Sequence, residues 1–360
     1  MVLQSALTPS TLDAPRKTCE LCGESRFRII ADRDRCGGRL LTDLCETCGL
    51  VSHHQIPPRE ELRRFYQRDY RLRYHGEWRP SAKRVYRAWK YGLHLARRLR
   101  PYFVLGAPVL EIGAGVGCTV GALAEAGLRA SGIEPHQGFQ HYAREVLGAN
   151  VARTTLENFH APERYEGIIM AHVLEHLHSP LEALQQVHAM LASRGMLYLE
   201  CPNLAAPVAA PGKLFHFAHI FNFTPTTLEQ LAARAGFQVA ERFGREDDVA
   251  IQFLLRKTDR PDTDRPDVAQ SFAPDAATET LRRAFRYRFF AYYARPSYLQ
   301  RRFQKLAGYL EEYLCARRWE RRFTARSMPS RRFSDSAPEL EMPIAAEVFM
   351  ACEPSAPGVV

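Results

Sequence analysis

The sequence lacks any apolar run long enough to cross a bilayer as a helix. Its first residues, Met1 to Pro9, also lack the basic start and apolar stretch of a secretory signal. We therefore expect a cytoplasmic protein without a transmembrane segment. Intrinsic disorder of the whole chain is excluded as well, since 46% of the residues are hydrophobic and 25% are charged, a composition typical of globular domains.

A disulfide framework is not expected either, because cytosolic thiols stay reduced. Four of the nine cysteines instead form two Cys-x-x-Cys pairs, Cys19/Cys22 and Cys45/Cys48, each followed by a glycine. One such pair places two thiolates on a tight turn, and two pairs complete a tetrahedral shell. The spacing predicts a structural Zn²⁺ ion in a zinc ribbon or rubredoxin-like unit. Iron in the same shell remains an alternative.

Alternating apolar runs and helical patterns between residues 101 and 257 predict an α/β unit. A near-duplicated Pro-containing stretch follows it and indicates a linker. The predicted order of parts is a leader at 1–17, the zinc-binding module at 18–57, a helical flank capping the cleft at 58–100, the α/β domain at 101–257, a linker at 258–280, basic amphipathic helices at 281–333 and a loose tail at 334–360.

A glycine-rich loop lies between the first predicted strand of the α/β unit, Val109 to Ile112, and the next helix. Its glycines are spaced G-x-G-x-G, whereas dinucleotide-binding loops are spaced G-x-G-x-x-G. Glu111 precedes the first glycine, where a carboxylate would repel a pyrophosphate but would suit the ammonium and sulfonium of S-adenosylmethionine. Glu134, at the end of the second strand, can accept hydrogen bonds from ribose hydroxyls.

Together with Gly132-Ile-Glu-Pro135, Ile168 to Leu177 and Gly195 to Asn203, this loop resembles class I S-adenosylmethionine-dependent methyltransferases. With the cysteine module, the chain resembles the zinc-binding subgroup that acts in natural-product and surface-polysaccharide pathways. The resemblance implies a Rossmann-like seven-stranded sheet of order 3-2-1-4-5-7-6 with strand 7 antiparallel. The residues that it implies for cofactor binding are Glu111, Gly113, Ala114, Gly115, Gly117, Glu134, Pro135, Glu157, Asn158, Ala171 and His172.

Three histidines are the candidate catalytic residues, because an imidazole titrates near neutral pH. Methyl transfer is an in-line displacement that depends on alignment, and it needs a base only when the acceptor must lose a proton. His172 follows the fourth strand, His176 lies in Leu174-Glu-His-Leu177, and His219 precedes a loop that closes over the substrate in the resembling family. Structural roles in turns or packing remain open for all three.

Two departures from relatives that methylate carbon in keto-sugars bear on the acceptor. Those relatives carry a histidine where this chain has Cys201, and a further Rossmann-like domain where this chain has an arginine-rich region. We therefore expect O- or N-methylation of a small molecule or glycan intermediate rather than C-methylation, and we expect Cys201 to be buried.

The formal net charge is +9, with arginines concentrated between Leu281 and Phe333. Such a surplus favours polyanions or anionic membrane surfaces, although the arginine stems could also cover apolar surface of the catalytic domain. A zinc-containing nucleic-acid-binding protein or nucleic-acid methyltransferase is thus an alternative, weakened because Ala171 to Leu174 lacks an Asn-Pro-Pro-Tyr type motif. A nicotinamide-dependent oxidoreductase is disfavoured by the glycine spacing.

Overall fold

The computed structural model describes residues 17–324, apart from residues 208, 211, 259–271 and 288. The predicted leader up to residue 16, residues 259–271 of the predicted linker, the end of the basic region from residue 325 and the predicted tail therefore lie outside the described residues. The remaining predicted parts can be compared directly with the structure.

Eleven strands and ten α-helices are described, together with short 3-10 and π-helical turns. The strands are β1 (Phe27–Arg33), β2 (Arg39–Cys45), β3 (Val51–His53), β4 (Pro108–Ile112), β5 (Arg129–Ile133), β6 (Val151–Ala152), β7 (Tyr165–Ala171), β8 (Leu191–Pro202), β9 (Phe221–Asn222), β10 (Phe237–Phe243) and β11 (Ala250–Lys257). The helices are α1 (Arg59–Arg64), α2 (Tyr70–His75), α3 (Ala82–Leu99), α4 (Cys118–Glu125), α5 (Gln137–Glu145), α6 (Pro180–Met190), α7 (Pro225–Arg234), α8 (Ala276–Ala284), α9 (Phe289–Tyr293) and α10 (Pro296–Thr324).

Seven strands form a mixed sheet in the order β10-β11-β8-β7-β4-β5-β6. The β4–β5 and β5–β6 pairs are parallel, whereas β11 runs antiparallel to both β8 and β10. The predicted α/β class with a seven-stranded mixed sheet is confirmed. Val109 and Leu110 of β4 are fully buried. Such burial is expected for a strand in a parallel sheet whose two faces are both covered by helices.

The described residues divide into two compact units. The first unit comprises the described parts of residues 1–62, 161–164 and 168–292, and the second those of 63–160, 165–167 and 293–360. The cysteine pairs and the three candidate histidines belong to the first unit, and the glycine-rich loop and Glu134 belong to the second.

In the first unit the cysteine module shares both a sheet and a core with later parts of the chain. A second, four-stranded sheet has the order β1-β2-β3-β9, in which Val51 pairs with Asn222. Leu44 and Val51 pack in one cluster with Leu204 and Phe215. The N-terminal strands are therefore built into the unit rather than attached by a linker.

In the second unit α3 packs against α4 at close range. Ser81 caps α3 through a hydrogen bond from the Arg84 amide, and Trp89 on the buried face packs with Val116 and Phe139. A Cβ at Gly92 would lie 2.9 Å from the Cys118 carbonyl, so only glycine permits this approach. The C-terminal helix α10 also contacts α3, where Arg87 binds Glu312 through two 2.7 Å hydrogen bonds.

The described residues 281–324 comprise the end of α8, the short helix α9 and α10, with non-helical residues between these helices. Phe303 and Leu306 on α10 are largely exposed. Among the described residues, no helix is long and apolar enough to span a membrane.

Candidate functional site

The four cysteines of the two Cys-x-x-Cys pairs converge in the first unit. All four side chains are buried, and their sulfurs lie within 4.8 Å of one another. The Cys19 and Cys48 sulfurs are 3.5 Å apart, and those of Cys22 and Cys45 are 3.4 Å apart. Four thiolates bound tetrahedrally at Zn–S distances of about 2.3 Å would be about 3.8 Å apart. The residues therefore fit a four-coordinate metal ion.

Glycines close the two cysteine turns. Gly23 and Gly49 have φ angles of 79° and 77°, a left-handed conformation that side chains disfavour, and their amides donate to the Cys19 and Cys45 carbonyls. A Cβ at Gly49 would also lie 2.6 Å from the Thr280 hydroxyl on α8. Cys36 is exposed and does not belong to the group.

The glycine-rich loop follows β4 in the second unit, and its glycines differ in what they permit. Gly113, Gly115 and Gly117 all have positive φ angles, between 56° and 79°. A Cβ at Gly115 would meet only the Arg71 guanidinium, at 3.8 Å, whereas a Cβ at Gly117 would lie 2.8 Å from that of Ala149. The loop is thus open for a ligand at Gly115, while Gly117 is required for packing.

Glu134, at the end of β5, connects that strand to the loop. Its carboxylate is buried and accepts hydrogen bonds from the amides of Gly115, at 2.9 Å, and His136, at 3.0 Å. The Arg71 guanidinium lies 3.4 Å from the same carboxylate and 4.4 Å from the centre of the Phe139 ring. Arg71 was not predicted, because nothing in the sequence distinguishes it from the other arginines of the flank.

Glu111 is also buried, and its Oε2 atom has no hydrogen-bond partner among the described residues. Burial raises the pKa of this carboxyl to about 8, although a hydrogen bond from Thr119 opposes the shift. A buried acid with a spare oxygen suits a cationic ligand group, which agrees with the charge of S-adenosylmethionine.

The other predicted cofactor residues occupy varied environments. Ala114 is buried and its methyl group packs on Gly132, where a Cβ would approach it to 2.7 Å. Pro135 is half-buried, whereas Glu157 and Asn158 are exposed. Ala171 is half-buried at the end of β7, in the first unit.

His172 follows β7 in an unusual backbone conformation. Its φ angle is 56°, and it is the one non-glycine residue with a positive φ in the described part of the chain. Its Nε2 atom lies 3.2 Å from Glu200 and its Nδ1 atom 3.5 Å from Glu175. Burial would lower the pKa of His172, but the two carboxylates outweigh it and raise the pKa to about 10. Half of the side chain is exposed, so solvent screening limits the strength of these ion pairs.

His176 and His219 also lie close to Glu175. Their ring centroids are 5.1 Å apart, and that of His216 lies 3.9 Å from that of His219. Burial lowers the pKa of His216 to about 3 and also lowers that of His219, so both imidazoles are neutral at physiological pH. The structure therefore brings the three candidate histidines together around one buried carboxylate.

Several members of this cluster were not predicted as site residues. They are His53, Glu175, Tyr198, Glu200 and His216. Tyr198 and Glu200 alternate along β8 and therefore share one face, and the Tyr198 hydroxyl donates to Glu200 at 2.7 Å. That alternation is a usable sequence signal, whereas His53 and His216 meet only through tertiary structure. Cys201 is buried as predicted, and burial raises the pKa of its thiol far above the usual range.

A family model described as a methyltransferase domain matches residues 81–242. The match begins at α3 and ends in β10, so the cysteine module and α8–α10 lie outside it. Residues 81–242 are therefore similar to a methyltransferase domain.

Individual relatives are similar to part of this chain. A ubiquinone biosynthesis O-methyltransferase of Actinobacillus pleuropneumoniae is 31% identical over 130 residues, which are 31% of this chain and 55% of that protein. An uncharacterised protein of Mycobacterium tuberculosis is 31% identical over 112 residues, 29% of this chain and 38% of that protein. The chain thus spans about half the length of the first of these relatives.

Among solved structures, the chain is similar to a 1,6-didemethyltoxoflavin-N1-methyltransferase of Burkholderia thailandensis. The sequence identity is 20% and the TM-score is 0.44, over 58% of this chain and 96% of that one.

Proposed function

We propose that this protein transfers the methyl group of S-adenosylmethionine to an oxygen or nitrogen of a small molecule or glycan intermediate. The observation that carries the proposal is the position of the Glu134 carboxylate. It is buried and accepts a hydrogen bond from the amide of Gly115, a loop residue with free space beside its Cα atom. It lies within the segment that matches the methyltransferase domain.

The cofactor would be held by the residues that the sequence predicts for it. The positive φ angles of Gly113 and Gly115 let the methionine part approach the loop backbone closely, Glu134 accepts from the ribose hydroxyls, and Glu111 would compensate the positive charge once it ionises. Ala114, Pro135, Glu157 and Asn158 would border the adenosine, and Ala171 and His172 the reacting methyl group. When bound, S-adenosylmethionine supplies a methyl group on a sulfonium sulfur, which leaves as a neutral thioether.

The acceptor would be held by the histidine cluster of the first unit. The His172 ring, held between Glu175 and Glu200, would line the acceptor position, while His176 and His219 offer lone pairs beside it. An O–H or N–H acceptor must lose its proton as the new bond to carbon forms, and such a cluster assists that loss. The relative that is named an O-methyltransferase supports an oxygen acceptor, and the buried Cys201 offers no base for C-methylation.

The cysteine module would hold a structural Zn²⁺ ion. Four buried thiolates complete a tetrahedral shell and leave no position for a substrate. Its role is therefore to stabilise the four-stranded sheet and not to take part in the reaction.

Calorimetric titration of the zinc-replete protein with S-adenosylmethionine tests the proposal. We expect micromolar binding that weakens about tenfold or more in Glu134→Ala, because a buried charged acceptor of hydrogen bonds is lost. Glu145→Ala, at an exposed acid on α5, is the matched control and should bind as the wild type does. Absence of binding by the wild type would refute the proposal, and salt-dependent RNA binding would then favour the nucleic-acid alternative.

A further inference from the structure

A second group of ligand-type side chains in the first unit is distinct from the four cysteines. Glu175, His176 and His219 each offer one ligand atom, and these three atoms lie within 4.8 Å of one another. One carboxylate with two imidazoles is a donor set typical of divalent transition metals. We propose that these three residues bind such an ion, in addition to the metal of the cysteine module.

The carboxylate of Glu175 is the first argument for a cation. The residue is only 1% exposed, and neither of its oxygens makes a hydrogen bond of normal geometry within the described residues. The nearest imidazole nitrogens, those of His172 and His176, are 3.5 Å and 3.8 Å from Oε1. A buried carboxylate without short hydrogen bonds is costly unless cations compensate it. The His172 imidazolium compensates Glu175 only in part, because half of that side chain is exposed and its charge is shared with Glu200.

The orientation of His176 is the second argument. Its Nδ1 atom lies 2.6 Å from the Ala218 carbonyl, to which it donates. The other ring nitrogen, Nε2, therefore carries the lone pair, and it is the atom that faces Glu175. Metal-bound histidines are commonly oriented by such a hydrogen bond from the non-ligating nitrogen to a backbone carbonyl.

The openness of the site distinguishes it from the cysteine module. Glu175 and His176 are buried, but His219 is only partly buried, whereas all four cysteines are enclosed. Catalytic metal sites usually keep a position for water or substrate, and structural sites do not. Three ligands about 2.0–2.2 Å from an ion would be closer together than these atoms are now, so the side chains must close slightly on binding.

The chemical role of the ion rests on the proposed function, although its binding does not. An acceptor hydroxyl bound to the ion would lose its proton more readily, because a divalent ion lowers the pKa of a bound hydroxyl group. In the proposed reaction the acceptor oxygen would form a bond to the methyl carbon as the carbon–sulfur bond breaks, and that electron pair would stay on sulfur. The released proton leaves to solvent.

Cobalt binding tests the inference without the need for an acceptor. Full-length protein whose cysteine module is loaded with zinc is titrated with Co²⁺ and followed by visible absorption. We expect about one further cobalt ion per chain, with the weak bands of nitrogen and oxygen ligation and without intense thiolate charge-transfer bands. Glu175→Gln should weaken this binding by about 10–100-fold or more.

His188→Ala is the matched control. His188 lies on α6, outside the proposed metal site, and its Nε2 atom is 2.9 Å from the Thr258 carbonyl oxygen. This variant should bind cobalt as the wild type does. Retained zinc and a normal thermal melt would show that Glu175→Gln is folded. If Glu175→Gln does not fold, His219→Gln is used instead, because His219 is partly exposed and its substitution disturbs packing less. Wild-type affinity in a folded variant, or no cobalt beyond exchange at the cysteines, would overturn the inference.

The inference and the proposed function can fail separately. Cobalt binding that depends on Glu175, without S-adenosylmethionine binding, would leave the metal site standing and remove the methyltransferase assignment. S-adenosylmethionine binding that depends on Glu134, without cobalt binding, would do the reverse.

Discussion

At the scale of single residues, His172 occupies a backbone conformation that its side chain does not favour. A φ of 56° costs a non-glycine residue roughly 1–3 kcal/mol and persists only where the surroundings hold it. Here the His172 amide donates to the Glu200 carbonyl at 2.8 Å, and the imidazole contacts two carboxylates. The strain coincides with the candidate site.

Two substitutions of His172 should distinguish the energetic cost of its backbone conformation from the contribution of its side-chain contacts. His172→Asn and His172→Val both lose the imidazole, but only the β-branched valine is strongly disfavoured at positive φ. We expect His172→Val to lower the free energy of unfolding by about 1–3 kcal/mol more than His172→Asn does. Urea denaturation measures the difference, and equal stabilities would show that the backbone relaxes.

Two glycines of the cofactor loop should respond differently to alanine. At Gly115 a Cβ has room apart from Arg71, whereas at Gly117 it would collide with Ala149. We expect Gly115→Ala to weaken S-adenosylmethionine binding with a stability loss of about 1–2 kcal/mol from the positive φ alone. Gly117→Ala should lose a further 1–3 kcal/mol or so from overpacking. Calorimetric titration measures the loss of binding in each variant, and urea denaturation measures the loss of stability. Equal effects of the two substitutions would contradict the prediction.

At the scale of elements, the cysteine module supports the segment that carries His216 and His219. The His53 amide donates to the Ile220 carbonyl at 2.9 Å, and β3 pairs with β9. The His53 ring nitrogen lies 3.4 Å from the His216 carbonyl. The cysteine module therefore helps to hold His216 and His219 in place through these hydrogen bonds.

Loss of metal from the cysteine module should loosen that segment. In Cys22→Ser, or after chelation, we expect faster amide hydrogen exchange in β1–β3 and also in residues 216–222, because β9 loses its partner strand. Exchange in β4 and β5 serves as the internal reference. Unchanged protection of residues 216–222 in metal-free protein would contradict this coupling.

Prediction from sequence worked for elements with strong local signals. Thr224 and Pro225 mark the start of α7, and the structure shows Thr224 as its N-cap in a capping box with Thr227. β8 begins at Leu191, four residues before Gly195, where the segment that carries the family resemblance begins. β9 was not predicted, because two residues carry no periodicity and its partner β3 is about 170 residues away along the chain.

At the scale of the whole molecule, the described residues of the first unit form one structure although they come from distant parts of the sequence. Leu44 of the cysteine module is fully buried in a cluster with Leu204, Phe215 and Ala277. Arg234 on α7 also donates to the Leu21 carbonyl at 2.7 Å. The module is therefore not expected to unfold on its own.

Truncation of Leu44 should destabilise the whole first unit. We expect Leu44→Ala to cost about 2–5 kcal/mol, as cavities in packed cores do, and the module to melt together with the cluster that it joins. Ile29→Ala, at a half-exposed site of the same sheet, should change stability by less than about 0.5 kcal/mol. Calorimetry that resolved a separate low-temperature transition for the module would argue against one cooperative unit.

By itself, the sequence determined the features that depend on neighbouring residues. The Cys-x-x-Cys turns, the glycine-rich loop after β4, Glu134 at the end of β5 and the cap of α7 are local signals of spacing and residue type. The tertiary structure alone decided that His53 and Glu200 join the three candidate histidines, and that Arg71 meets Glu134. Such contacts join positions far apart in the chain, and no local pattern encodes the packing that brings them together.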